Sequence, residues 1–232
     1  MFIGHLGVAL GAKRLQPDVS LGVLVLAAQF VDVLWPVMLI AGAEHVRIAP
    51  GATAVTPLDF YDYPWTHSLL MTVVWGVGFA IVYGMNTGRT KAALLCGTLV
   101  VSHWFLDAIV HRPDLPLYPS GALYGLGLWS SPIGTAIVES VLFATGLWLY
   151  LRTTTPRDAT GRWGFAALIA VVILAYVLNL QGTPPPSVGA LEWVALGSST
   201  LLVAWAFWAD GHRRRRAPDS GLQPAGPREP RH

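Results

Sequence analysis

Between positions 103 and 111 the chain reads His103-Trp-Phe-Leu-Asp107-Ala-Ile-Val-His111, with an ionisable side chain at every fourth residue. On an α-helix this spacing stacks the three along one face, about one turn apart. A row of imidazoles and a carboxylate can hold a metal ion, pass a proton, or bond internally. The flanking residues are apolar enough to cross a bilayer, where ionisable groups are costly and need a compensating partner.

The elements that must carry this row follow from composition. Of 232 residues, 53% are hydrophobic and only 12% charged, and mean hydropathy is +0.52. An ordinary soluble domain carries about 25% charged residues. The chain therefore reads as an integral membrane protein of the all-α class, a polytopic transmembrane helical bundle. About six apolar stretches approach the roughly 20 residues a span requires: 18–42, 67–86, 91–111, 130–151, 163–181 and 189–209. Ser130-Ser131-Pro132 could interrupt the fourth. Residues 2–15 are too short for a crossing and lack signal-peptide features. They read as a short helix that dips into the membrane and turns at Pro17, the alternative being a helix on its surface. Residues 1–210 form the transmembrane domain, and the Arg-, Pro- and Gly-rich segment 211–232 reads as a disordered basic tail.

Lysine and arginine occupy alternate connections: Lys13 and Arg14, Arg89 and Lys91, Arg152 to Arg162, and Arg213 to Arg216. By the positive-inside rule both termini are cytoplasmic. The net charge of +2 implies no nucleic-acid partner. Cys96 is the single cysteine, so there is neither an intrachain disulfide nor a thiolate metal finger. Partners are membrane lipids, and Arg213 to Arg216 read as an orientation signal or anionic-lipid contact.

At about 1.5 Å per residue, His103 lies about 18 Å above Lys91, Asp32 about 21 Å above Asp18, and Glu139 about 20 Å above Arg152. Three helices thus bring an ionisable group to one depth. His5 joins, about 12 Å above Lys13, if the N-terminal helix dips inward and is otherwise structural, while Asp107, His111 and His67 continue toward the outer face. Unpaired, Asp32, Asp107 and Glu139 would together cost about 8 to 10 kcal/mol. Imidazole and carboxylate suit a divalent metal, zinc first, with manganese or iron also compatible.

Each group has a plainer reading. The 103–111 row can bind a neighbouring helix through hydrogen bonds, and Glu139 alone is more often a packing or relay group than a ligand. His67 follows Thr66, a natural N-cap, and could sit at the interface. His45 reads as a solvated loop residue. Trp35, Trp65, Trp129 and Trp193 suggest an outer aromatic belt, with Trp163 and Trp208 inside.

The succession Phe2-Ile-Gly-His5-Leu-Gly, Asp32, Thr66-His67-Ser68 and Ser102-His103 to Asp107 resembles the predicted membrane-bound metal-dependent hydrolases, which include LexA-regulated inner-membrane proteins of bacteria. The resemblance covers roughly residues 1–150 in short motifs. It implies a metal held by the motif His and Asp residues, and hydrolysis of substrates that are poorly defined for the family. The chain has Gln29-Phe-Val-Asp32 where that family commonly has Pro-Asp-x-Asp, and Asp62-Tyr-Pro-Trp65 where it has His-Arg-Gly. These departures argue against a two-metal site, with Asp59 or Asp62 as the only substitutes.

The expected ligands are therefore His67, His103 and Asp107, joined by Asp32, His5 and His111. Glu139 or Asp32 would accept a proton from a metal-activated water, and Arg112 would hold a phosphate or carboxylate. A site near the outer headgroups favours a lipid or lipid-linked ester or phosphoester. No GxSxG elbow or Cys/His pair supports another nucleophile. The alternative is a small transporter, with the same column passing protons or metal ions. A scaffold with a structural metal is a third reading.

Overall fold

The computed structural model describes residues 1–217. Its helices are α1 (Ile3–Ala12), α2 (Leu21–Ala28), α3 (Phe30–Ile40), α4 (Pro64–His67), α5 (Leu69–Thr87), α6 (Thr90–Val110), α7 (Pro132–Thr153), α8 (Ala159–Asn179) and α9 (Val188–Gly211). The five helices α5 to α9 are each long and apolar enough to cross a membrane, and α2 with α3 makes a sixth candidate span, bent by 56° at Gln29. This is an all-α, multi-pass membrane protein.

Close packing places α1 inside the bundle, against α7 and α2. A Cβ on Gly7 would stand 2.6 Å from the Leu142 carbonyl, and one on Gly146 would overlap the Gly7 carbonyl. Small residues let two backbones touch, as in membrane helix pairs generally. Gly76 and Gly97 bring α5 onto α6 in the same way. Eight of the ten α1 residues are buried, which answers the choice between a dipping and a surface helix in favour of burial.

The end of the bundle at the C-terminus of α1 is tied by a buried ion pair. Lys13 Nζ donates to Asp210 Oδ2 at 2.6 Å and to the Val19 carbonyl at 2.8 Å. Asp210 also accepts from the Leu21 amide at 2.8 Å and the Tyr150 hydroxyl at 2.6 Å. One carboxylate thereby joins α2, α7 and α9 to the end of α1.

Three two-stranded antiparallel ribbons depart from the helical expectation. The first pairs β1 (His45–Ile48) with β2 (Leu58–Asp62), the second β3 (Leu115–Pro116) with β4 (Leu123–Tyr124). The third pairs β5 (Thr154–Pro156) with β6 (Arg213–Arg215). The segment expected to be a tail from 211 therefore begins as the end of α9 and a paired strand, because Arg213 donates to Thr154 Oγ1 and the Gly161 carbonyl. Residues 218–232 of that expected tail lie outside the described residues. The fourth span is not interrupted at Ser130-Ser131-Pro132: Ser131 caps it, accepting from the Gly134 amide at 3.2 Å, and Pro132 takes the first turn, where a missing N–H costs nothing.

Candidate metal centre

Four elements converge on one point. α1 supplies His5, the first turn of α3 supplies Asp32, α4 supplies His67, and α6 supplies His103 and Asp107. Two triads, His5–His103–Asp107 and Asp32–His67–His103, each keep their ligand atoms within 4.8 Å of one another. Around Asp107, His5 Nε2 is 3.0 Å from Oδ1, and His103 Nε2 is 3.1 Å and His67 Nε2 3.9 Å from Oδ2. Around Asp32 Oδ1, His67 Nε2 is at 3.4 Å and His103 Nε2 at 3.6 Å. Ligands at about 2.0 to 2.2 Å from a tetrahedral zinc stand roughly 3.3 to 3.6 Å apart, within the spread seen.

The backbone decides which imidazole nitrogen faces inward. The break at Gln29 leaves the Ala28 carbonyl to His103 Nδ1, which donates to it at 2.8 Å. A neutral ring that donates through Nδ1 presents a bare lone pair at Nε2. That Nε2 is buried with no hydrogen-bond partner among the described residues, facing Asp32 and Asp107. His67 is set by the same logic. Glu44 accepts the Thr66 hydroxyl at 2.7 Å and the Trp65 and Thr66 amides at 2.7 and 2.8 Å. The Thr66 oxygen, its proton already committed, accepts from His67 Nδ1 at 2.7 Å. His67 Nε2 is left as a second inward lone pair. Lone pairs facing carboxylates repel unless a cation lies among them, so these residues fit a divalent ion. Both triads use His103 Nε2, whose single lone pair serves one ion.

Sequence spacing had not singled out Glu44 or the hydroxyl role of Thr66. Thr66 does not cap the second span: α4 ends at His67, and Ser68 caps α5 by accepting from the Met71 amide at 3.3 Å. The Thr-His pair itself was legible, but Glu44, 22 residues upstream of Thr66, carried no sequence signal of this contact. Trp35 is not a belt residue either, being buried with its ring edge-on to His67 at 6.4 Å.

The remaining expected residues lie around the cluster. Glu139 Oε2 accepts from the Phe2 and Gly4 amides at 2.8 and 3.1 Å, where it caps α1 and so positions His5. The amino group of Met1 also contacts Asp107. His111 Nε2 is 3.9 Å from Asp107 Oδ2, and its Nδ1 pairs with Asp114 Oδ1 at 2.9 Å. Tyr63 donates to Asp114 at 3.2 Å; burial, with the Asp114 and Asp107 charges, holds its phenol well above the ordinary range. Arg112 is bound by Asp59 and by Asp114, the latter at 3.1 Å, and is not brought to the cluster. Asp59 pairs with Arg47 at 2.7 Å as well, and Asp62 pairs with His45 at 2.8 Å. These pairings hold the β1–β2 ribbon, and neither aspartate belongs to the His/Asp cluster.

The class defined by fold and site is a helical multi-pass membrane protein with a buried His/Asp cluster able to hold a metal ion. No protein-family model, curated protein or solved structure matches the chain.

Proposed function

We propose that this chain is a membrane-embedded metal-dependent hydrolase acting on a lipid or lipid-linked ester or phosphoester near the outer face of an inner (plasma) membrane, with both termini cytoplasmic. The observation that carries the reading is the inward pair of lone pairs, His67 Nε2 and His103 Nε2, set between Asp32 and Asp107. His67, His103 and Asp107 would hold the ion, zinc first and manganese or iron next, with Asp32 beside it, His5 stacked on His103 at 3.7 Å as support, and one position left for water. When bound, such an ion supplies Lewis acidity and brings the pKa of a coordinated water toward 7.

The chain's own residues provide the rest. Asp32 is the open member of the set, with its side chain 36% exposed against 7% for His67 and 3% for Asp107. It takes the proton from the attacking water and returns it to the leaving alcohol as the ester or phosphoester bond breaks. Thr66 and Glu44 fix His67, the Ala28 carbonyl fixes His103, and Glu139 holds α1 so that His5 stays in place.

The test is elemental analysis of detergent-purified protein beside His103→Ala and Asp107→Ala, followed by a hydrolysis screen on ester and phosphoester lipids. Near-stoichiometric metal lost in both variants, together with turnover, is the expected result. Folded wild type that takes up no metal on resupply overturns the reading.

The bent α2–α3 span favours a second reading, since broken helices beside an ionisable residue also mark ion pathways. Flux in vesicles driven by a pH gradient, without hydrolysis, would establish transport.

A further inference from the structure

The cluster has one open wall. Asp32 lines a cavity of about 290 Å³ bounded by α1, the α2–α3 break, α8 and α9. Its sides are Phe2, Leu6, Leu168, Val172 and Leu202, with Val171 and Leu201 also lining it. The last two are 49% and 62% exposed on helices apolar enough to span the bilayer, so the cavity opens sideways into lipid. Ser198 and Ser199 also line it, but each hydroxyl bonds to a carbonyl of its own helix, Ala195 and Leu196. The α8–α9 side therefore offers a guest no free hydroxyl proton and mostly apolar surface.

Polarity is confined to the α2–α3 end. Gln29 Oε1 and Trp35 Nε1 are buried without any hydrogen-bond partner among the described residues, and both residues line this cavity beside Asp32. Buried polar groups are seldom left unpaired, and each such omission costs about 1 to 3 kcal/mol. The two orphans ask for opposite things. The indole N–H needs an acceptor oxygen, and the Gln29 oxygen needs a donor.

We propose that this cavity is a lateral binding groove for a single-chain glycerolipid. The acyl chain lies between α8 and α9, the ester carbonyl accepts from Trp35, and the neighbouring glycerol hydroxyl donates to Gln29. The volume stands at the lower end of ligand pockets, about 300 Å³, and suits one chain rather than two. The groove delivers the ester to Asp32, so the inference rests on the proposed hydrolase reading for its consequence but not for its binding. The separate polar pocket of about 580 Å³ at Tyr63, Arg112 and Asp114 then serves the aqueous side.

The probe is a 1-acyl lysophosphatidylcholine carrying a diazirine in its acyl chain, photolysed with the detergent-purified full chain and mapped by peptide mass spectrometry. Adducts should concentrate on Val171, Ala175 and Leu202. They should fall at least tenfold in Ala175→Trp and in Ala195→Trp, which fill the groove from α8 and from α9, while metal content stays at the wild-type level. Trp35→Phe should weaken competition by unlabelled lysolipid about fivefold, the loss of about one hydrogen bond. Labelling spread equally over the outward faces of α5 and α7, or unchanged in both filled variants, overturns the groove. Localised labelling on a protein that binds no metal leaves the groove standing and removes the hydrolase reading. Bound metal with unlocalised labelling does the reverse.

Discussion

His103 and His67 share one design: a hydrogen bond on Nδ1 that leaves Nε2 as a ligand. For His67 the partner is a hydroxyl held in turn by Glu44, a carboxylate–hydroxyl–imidazole relay. Groups that orient metal-binding imidazoles typically change affinity 10- to 100-fold when removed. Thr66→Val should therefore weaken metal binding by about that factor, read by competition with a chelating dye, with secondary structure unchanged. Equal affinity in Thr66→Val and wild type would mean that the relay only shapes the loop. Glu139→Gln keeps one carbonyl oxygen for the Phe2 and Gly4 amides. It should retain most of the metal, whereas Glu139→Ala, which uncaps α1, should lose the contribution of His5; comparing metal content of the two variants checks this.

At the scale of elements, α1 depends on two anchors. Gly146 lets it approach α7, and Asp210 holds its C-terminal end through Lys13. Removing one partner of a buried ion pair typically costs about 3 to 5 kcal/mol, while replacing both with apolar groups is often neutral. Asp210→Ala should thus destabilise the protein by about that amount in denaturant unfolding, and Lys13→Met with Asp210→Leu should recover much of the loss. A double variant no more stable than the single would show that the Tyr150 and Leu21 bonds to Asp210 dominate instead. Gly146→Leu tests the other anchor. It should push α1 away from α7 and lower metal occupancy, even though position 146 is on a different helix from every expected ligand.

For the whole molecule, five ligand candidates come from four separated stretches of chain, so a bound ion would cross-link the bundle. A ligand that binds only the native state at 100 times its dissociation constant adds about 2.7 kcal/mol of stability. Chelation should lower the thermal midpoint of wild type and leave that of His103→Ala unchanged, as monitored by scanning fluorimetry in detergent. A midpoint insensitive to chelator in metal-loaded wild type would mean that the ion contributes nothing to holding the helices together.

What the residues by themselves determined is the helical membrane class and most of the candidate ligand set. Long apolar runs must become helices in lipid, where every backbone polar group needs an internal partner. The four-residue spacing of His103 and Asp107 and the common depth of Asp32 are linear properties of such helices, and so they could be read directly. Only tertiary structure decided the rest. The bend at Gln29 that frees the Ala28 carbonyl, the burial of Trp35 and the use of Glu44 as the anchor of Thr66 depend on contacts between segments distant in sequence. Arg112, Asp59 and Asp62 read as available for a ligand because their partners, Asp114, Arg47 and His45, meet them only when the loops between α3 and α4 and between α6 and α7 fold. The groove beside Asp32 is likewise a space between four elements, and no single stretch of chain encodes a space.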